Sequence, residues 1–196
     1  PNPKAAGRSM FNSLKRGLGS LIDTLAGQLK GTVRTGVQAT SLTRDGERWT
    51  VQTSTGPLTA DAVILAVPAY EAARLVDPLH AELGGMLKGI RYVSTATVSL
   101  AYMRADVPLD LDGFGVLIPS TEKRRLIACT WSSVKFKHRA PPGSVLLRGF
   151  IGGYHREELA GLPDDELVDL VRTEYRELFG IMAEPLLTRI YRWPKA

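Results

Sequence analysis

Apolar residues recur at helical spacing between Gly19 and Lys30, where Leu21, Ile22, Leu25, Ala26 and Leu29 fall on one stripe. The spacing predicts a helix there, with Gly31 as its C-terminal stop. The pattern then changes to short β-rich runs. Val37 to Thr43 and Arg48 to Thr53 flank Asp45-Gly46, which is a hairpin signal. Thr55-Gly56-Pro57 reads as another turn, and Leu58 and Thr59 lead into Asp61-Ala-Val-Ile-Leu-Ala-Val-Pro68. That run is apolar at consecutive positions, the pattern of a strand buried on both faces of a parallel sheet. Pro68 suits the first turn of a helix running through Tyr70 to Leu75, and a second short helix is expected after Pro78, to about Lys88.

Beyond Lys88 the pattern is that of an antiparallel sheet. Val93 to Tyr102, Gly113 to Ile118, Arg125 to Trp131, Ser144 to Ile151 and Leu186 to Trp193 read as strands, with Pro141-Pro142-Gly143 the clearest turn. Leu162 to Phe179 reads as a helix. Pro163 opens it, Asp164, Asp165 and Glu166 complement its N-terminal dipole, Leu167, Leu170, Val171 and Leu178 form its apolar face, and Gly180 ends it. The expected class is α/β with α+β character, in two regions: 1–75, with a helix, a hairpin and a buried parallel strand, and 76–196, with an antiparallel sheet. The parallel strand is an orphan. Such a strand needs parallel neighbours reached by crossover connections, and few are at hand. Its sheet is therefore expected to be completed by strands outside this sequence.

Composition narrows the classes. The chain has 196 residues, 44% of them hydrophobic and 23% charged, which is globular and not disordered. Twenty-five Lys and Arg against 20 Asp and Glu give a net charge of +5, enough to favour anionic ligands without selecting one. The single cysteine, Cys129, excludes an intrachain disulfide and a cysteine zinc cluster and fits a reducing compartment. The longest apolar stretch, Ala62 to Ala69, is far short of a membrane span, and Pro1-Asn2-Pro3-Lys4 does not read as a signal peptide.

The familiar catalytic patterns are missing. Arg16-Gly17-Leu18-Gly19 begins like a dinucleotide loop, but Ile22 stands where the third glycine belongs. His80, His138 and His155 lack metal-ligand spacing, and Ser132-Ser133 are not in a nucleophile elbow. Lys123, Arg124, Arg125, Lys135, Lys137 and Arg139, interleaved with Trp131 and Phe136, could form a surface for nucleic acid or anionic lipid. A solvated face and a loop are the favoured explanation, because no binding motif accompanies them. The small residues Ala66 to Ala69 lie where ligands collect in open α/β sheets, though packing also accounts for them.

Several segments together resemble one family. Phe11-Asn-Ser-Leu-Lys-Arg-Gly-Leu-Gly-Ser-Leu-Ile-Asp-Thr-Leu-Ala and Ala60-Asp-Ala-Val-Ile-Leu-Ala-Val-Pro-Ala are similar to segments of flavin-dependent protoporphyrinogen oxidases, and of flavin amine oxidases generally. Gly113-Phe-Gly-Val-Leu-Ile-Pro-Ser, Trp131-Ser-Ser-Val-Lys-Phe, Arg139-Ala-Pro, Leu147 to Gly153 and Arg192-Trp-Pro-Lys-Ala follow in the order of the porphyrinogen oxidases. The resemblance covers nearly the whole chain. It implies the central piece of such an enzyme: an FAD/NAD-linked reductase-like substrate domain at 76–196, and part of an FAD-binding domain at 1–75. Both terminal FAD-binding segments are absent, so the piece alone is expected to be inactive.

The resemblance implies FAD as cofactor and a six-electron oxidation of protoporphyrinogen IX to protoporphyrin IX, with oxygen as acceptor, in haem biosynthesis. Coproporphyrinogen III is the alternative substrate, and extra cations facing the slot would favour it. A flavin amine oxidase or desaturase is a wider alternative, and a non-catalytic module binding anionic lipid or nucleic acid is the reading of another class. For cofactor binding the resemblance points to Val37, at the adenine, and Trp193, near the flavin; for the macrocycle it points to Leu117 and Phe136. No catalytic residue and no metal ligand is named, and the arginine usually offered to a propionate falls upstream. A tetrapyrrole partner and no nucleic acid are expected, in the cytoplasm. The resemblance also allows a homodimer and peripheral membrane contact, for which Leu109 to Phe114 are candidates.

Overall fold

The computed structural model of the chain describes residues 11–29 and 33–196. The expected first helix is present as α1 (Gly19–Gln28), but none of its residues is buried. Its expected end at Lys30 and Gly31 lies outside the described residues. The chain divides into two compact units, one of Asp23–Tyr92 and one of residues 11–22 with Val93–Ala196.

In the unit Asp23–Tyr92, the hairpin forms as expected. Strand β1 (Ala39–Asp45) pairs antiparallel with β2 (Arg48–Thr53), and Gly46 takes the left-handed turn conformation at φ 58°. The sequence places a turn at Thr55-Gly56-Pro57, whereas Gly56 already starts a third strand, β3 (Gly56–Ala60), antiparallel to β2. Pro57 is tolerated because β3 is an edge strand, where a missing N–H need not break a ladder. Helices α2 (Ala69–Val76) and α3 (Ala81–Lys88) follow. Arg74 ties α2 to β1 by donating to the carbonyls of Thr40 and Ala39, both at 2.8 Å. His80 caps α3, its Nδ1 accepting from the Leu83 N–H at 3.1 Å.

The expected buried strand at Asp61 to Pro68 is not a strand in this chain. The segment pairs with no other described strand, and Ile64 is 92% exposed. The physical reason is the one that made it an orphan in the sequence. Its apolar side chains suit both faces of a parallel sheet, and among the described residues the two sheets are antiparallel throughout.

The second unit is built on a five-stranded antiparallel sheet. Strands β4 (Thr95–Met103), β5 (Gly115–Leu117), β6 (Leu126–Trp131), β7 (Ser144–Gly152) and β8 (Leu187–Trp193) lie in the order β5-β6-β7-β4-β8. A short helix, α4 (Ser132–Lys135), leaves the end of β6, and α5 (Asp164–Phe179) covers one face. Ala96, Val98, Leu100 and Tyr102 of β4 alternate into the core with Leu147 and Ile151 of β7, against Leu167, Leu170, Val171 and Tyr175 of α5. Gly149 makes this close approach feasible. A Cβ there would come within 2.9 Å of Leu126 and 3.3 Å of the Tyr175 hydroxyl. Glu174 is buried, and its carboxylate accepts from the Arg125 N–H at 3.1 Å and the Arg124 guanidinium at 3.3 Å. The helix stops at Gly180, in the left-handed conformation, as expected. Leu109 and Leu111, candidates for membrane contact, pack partly buried against this core, while Phe114 is exposed and meets the Phe11 ring edge-on at 5.0 Å.

Candidate functional site

Antiparallel pairing aims partnered residues to the same face, so the register maps the face that α5 leaves open. One row across the sheet runs Leu117, Ala128, Phe150, Thr97, Tyr191. The next row runs Gly115, Thr130, Arg148, Ser99, Arg189. A third, shorter row joins Gly152, Thr95 and Trp193. The face therefore carries an aromatic and aliphatic row beside a polar and cationic one.

A cleft of about 440 Å³ opens on this face, with Thr130, Arg148 and Phe150 on its floor and Phe136 and Arg139 in its wall. Residues 11–18 edge the cleft. Arg139 fastens them, donating to the Ser13 hydroxyl at 2.9 Å and the Leu14 carbonyl at 3.2 Å. The Lys135 ammonium lies 4.0 Å above the Phe11 ring, a cation–π contact. The cleft falls within the usual volume range of small-molecule sites, and its lining is mixed, with Leu18, Phe136, Leu146 and Phe150 set among hydroxyls and the cations Lys135, Arg139 and Arg148.

Of the four residues that the sequence singled out, Phe136 is half-buried in the cleft wall, beyond the end of α4. Leu117 lies in the row of Phe150, but 85% exposed on the edge strand and not in the cleft lining. Trp193 is 45% exposed at the end of β8, with its ring centroid 6.0 Å from that of Tyr191. Val37 is half-buried just ahead of β1, in the other unit. Leu117 and Phe136 do not meet in one cleft; Phe136 and Phe150 do. Sequence reasoning missed Phe150, Thr130, Arg148 and Arg189. A signal was there, because Arg148 interrupts the apolar run Val145 to Ile151 and marks the face opposite the core.

The basic segment Lys123 to Arg139 is divided. Lys123, Arg124 and Arg125 line a cavity of about 600 Å³ with Tyr154, His155 and Arg156, and Lys135, Lys137 and Arg139 line a different one of about 670 Å³. Arg124 is engaged by Glu174 and Glu177. Among the described residues, no group of His, Cys, Asp and Glu is placed to hold a metal ion, and no helix is long and apolar enough to cross a membrane.

The lone thiol is structural. Cys129 is buried on the core side and donates to the Tyr175 hydroxyl at 3.3 Å. Burial pushes it from its ordinary 9.0 up to about 12, and burial also holds Tyr175 well above its ordinary 10.0. Below pH 9 the thiol is neutral in folded and unfolded chains alike. Above it the unfolded chain loses the proton first, so stability falls with rising pH between 9.0 and about 12. Cys129→Ser is expected to remove the first part of that fall and leave the later part due to Tyr175 and Tyr102, whose hydroxyl burial likewise pushes up from its ordinary 10.0 to about 12. Unfolding curves across this range check it, and an unchanged pH profile in the serine variant would refute it.

Comparison with known proteins decides the family. The family model described as flavin containing amine oxidoreductase matches residues 4–196. The chain belongs to this family. Among curated members, it is 40% identical over 193 residues to the coproporphyrinogen III oxidase of Propionibacterium freudenreichii, covering 95% of this chain and 35% of that protein. It is 28% identical over 207 residues to the chloroplastic protoporphyrinogen oxidase of Nicotiana tabacum, covering 99% and 38%. A crystal structure of a candidate protoporphyrinogen oxidase from Exiguobacterium sp. 255-15 superposes with a TM-score of 0.80 at 28% identity, covering 93% of this chain and 40% of that one. The chain thus spans well under half the length of these family members. The mixed α/β architecture is that of the flavin oxidoreductases, as the motif resemblance implies.

Proposed function

We propose that this chain is the central portion of an FAD-dependent porphyrinogen oxidase, and that the open face of its large sheet is one wall of the substrate slot. The observation that carries the reading is the row Leu117, Phe150, Tyr191 beside the cleft, an apolar and aromatic strip suited to a flat macrocycle. The relatives named for porphyrinogen oxidation support it. The unit with the large sheet takes the substrate-binding part, and the unit Asp23–Tyr92 belongs with the FAD-binding part.

The residues present fit the edges of FAD and not its pyrophosphate. Trp193 is a half-exposed aromatic on the open face, suited to lie beside a flavin ring, and Val37 stands at the start of a hairpin, where backbone can meet an adenine. No G-x-G-x-x-G cradle occurs in the chain. When bound, FAD supplies the two-electron oxidant for each of three rounds and passes the electrons to oxygen. The chain's own part is positional. Phe136 and Phe150 would hold the macrocycle in the cleft and strip water from it, Leu117 would extend the apolar row beyond it, and residues 11–18 would close one end. No acid–base group is needed on this face for that role. The substrate is protoporphyrinogen IX in the first reading and coproporphyrinogen III in the second, which the cations of the open face favour. A cytoplasmic enzyme, peripheral to the membrane or free of it, is in keeping with either.

The test is porphyrin fluorescence. The full-length protein carrying this chain, loaded with FAD, should generate fluorescence from a porphyrinogen and consume oxygen. Bound flavin with no fluorescence from either substrate would turn the reading to amine or desaturase chemistry. A protein that holds no flavin would end it.

A further inference from the structure

We infer that Arg139 is a positioning residue: it holds residues 11–18 as a detachable wall of the cleft, and that wall sets how tightly and for how long the macrocycle is kept. The inference rests on the porphyrinogen reading and deepens it.

Residues 11–18 join no strand of the sheet. Their backbone turns back on itself, with the Gly17 N–H donating to the Leu14 carbonyl at 2.9 Å. Side chains from one short stretch after β6 reach across to them. Arg139 spans 126 positions of sequence to donate from one Nη to the Ser13 hydroxyl at 2.9 Å, and the same Nη donates to the Leu14 carbonyl at 3.2 Å. The Lys135 ammonium stands over the Phe11 ring at 4.0 Å. Gly17, at φ 93°, brings the chain beside the same guanidinium, where an added Cβ would lie 3.9 Å from the other Nη. The turn that delivers Arg139 is itself unusual. His138 precedes it in the left-handed conformation at φ 66°, which residues with a side chain adopt uncommonly. The guanidinium also lies 5.9 Å from the centroid of the Phe136 ring, so the residue that holds the strap rests on the aromatic of the cleft wall.

The wall is thin. Asn12, Ser13, Lys135, Phe136 and Arg139 border both the cleft of about 440 Å³ and the neighbouring hollow of about 670 Å³. Neither lining contains a carboxylate, so an anionic macrocycle meets no like charge in passing between them. The Arg139 hydrogen bonds and the Lys135 cation–π contact are made by side chains, and they can break without disturbing the β ladder. With the Arg139 contacts made, the cleft is walled and water is kept from the ring. With them broken, the two hollows join and the ring can leave. In this role Arg139 acts through residues 11–18 and not on the reacting carbons, so its effect falls on binding and release.

The experiment uses the full-length, flavin-loaded protein with R139Q, R139K, S13A and the double variant R139Q/S13A. It reads kcat and KM for whichever of the two porphyrinogens the protein oxidises faster, and the rate at which the matching porphyrin dissociates. It also reads trypsin cleavage after Lys15 and Arg16, both exposed, in the native state. R139Q is expected to raise KM and the dissociation rate about tenfold, the worth of a charge-assisted hydrogen bond, with kcat changed less than about twofold. S13A should raise both about threefold. R139K, which keeps the charge and loses the fork, should recover part of the R139Q loss. The double variant should be no worse than R139Q, because Ser13 acts through Arg139. Trypsin should cut faster in R139Q, and bound porphyrin should slow the cutting of the unsubstituted protein. KM and dissociation unchanged in R139Q, a loss confined to kcat, or additive effects of the two substitutions each overturn the inference while the porphyrinogen reading stands. A protein that binds flavin and oxidises neither porphyrinogen overturns that reading instead. The trypsin comparison then decides the strap alone, and unchanged cutting in R139Q refutes it. Should R139Q fail to fold, S13A, on an exposed residue, carries the comparison.

Discussion

Gly115→Ala is expected to destabilise the large-sheet unit by about 3 kcal/mol or more, enough to leave much of it unfolded at moderate temperature. Gly115 has φ +144°, a backbone conformation that residues with a side chain rarely adopt. A Cβ placed there would lie 2.1 Å from the carbonyl oxygen of Cys129 and 2.9 Å from the Thr130 Cα. Both are backbone atoms of β6 and cannot rotate away. To admit the methyl group, β5 must leave β6 and take Leu117 with it. The effect should therefore appear as a lower melting temperature and, on the proposed reading, also as weaker tetrapyrrole binding by whatever remains folded. Gly113→Ala is the control. Its nearest neighbour would be the Trp131 ring at 3.8 Å, an ordinary contact, although its φ of +98° still carries a conformational penalty. Equal melting temperatures for the Gly115 variant and the unsubstituted protein would refute the steric account.

On the porphyrinogen oxidase reading proposed above, Phe150→Ala is expected to lower kcat/KM of the full-length, flavin-loaded protein for a porphyrinogen by about ten- to a hundredfold, the equivalent of removing one large aromatic contact. Phe150 stands centrally in the row between Ala128 and Thr97, and it forms part of the cleft floor. It points away from the core, whose β7 contributions are Val145, Leu147 and Ile151, so its loss should cost little stability. That separates it from Leu147→Ala, which would open a cavity in the core and unfold the unit without speaking to the site. Phe150→Leu should recover part of the activity. A variant that turns over normally would remove the open face from the substrate slot.

Most of the fold could be read from the sequence, for a local reason. The five strands of the large sheet and α5 each carry their own period, caps and turns, so Ser144 to Ile151 or Leu162 to Phe179 can be read without their neighbours. The failure at Asp61 to Pro68 has the opposite cause. A strand apolar on both faces is defined by its partners, and these lie in neither sheet of the chain. Gly56 and Pro57 misled for a related reason, because turn-forming residues also serve on an edge strand. The site was harder to read than the fold. Phe136 could be picked out because it follows a motif, but Phe150, Arg148 and Arg189 come together only through register across three strands. Single-sequence reading fixes the alternation within a strand and not which row meets which.

The unpaired stretch from Asp61 to Pro68 sets how this polypeptide can be handled. Up to Val67 it makes no ladder hydrogen bonds with a described strand, and it shows Ile64 and Val67 to solvent, the combination that lets one molecule template another. The solubility of the chain therefore depends on what covers this stretch. While it is uncovered, copies of the chain can pair through it, and aggregation that rises steeply with concentration is the expected behaviour.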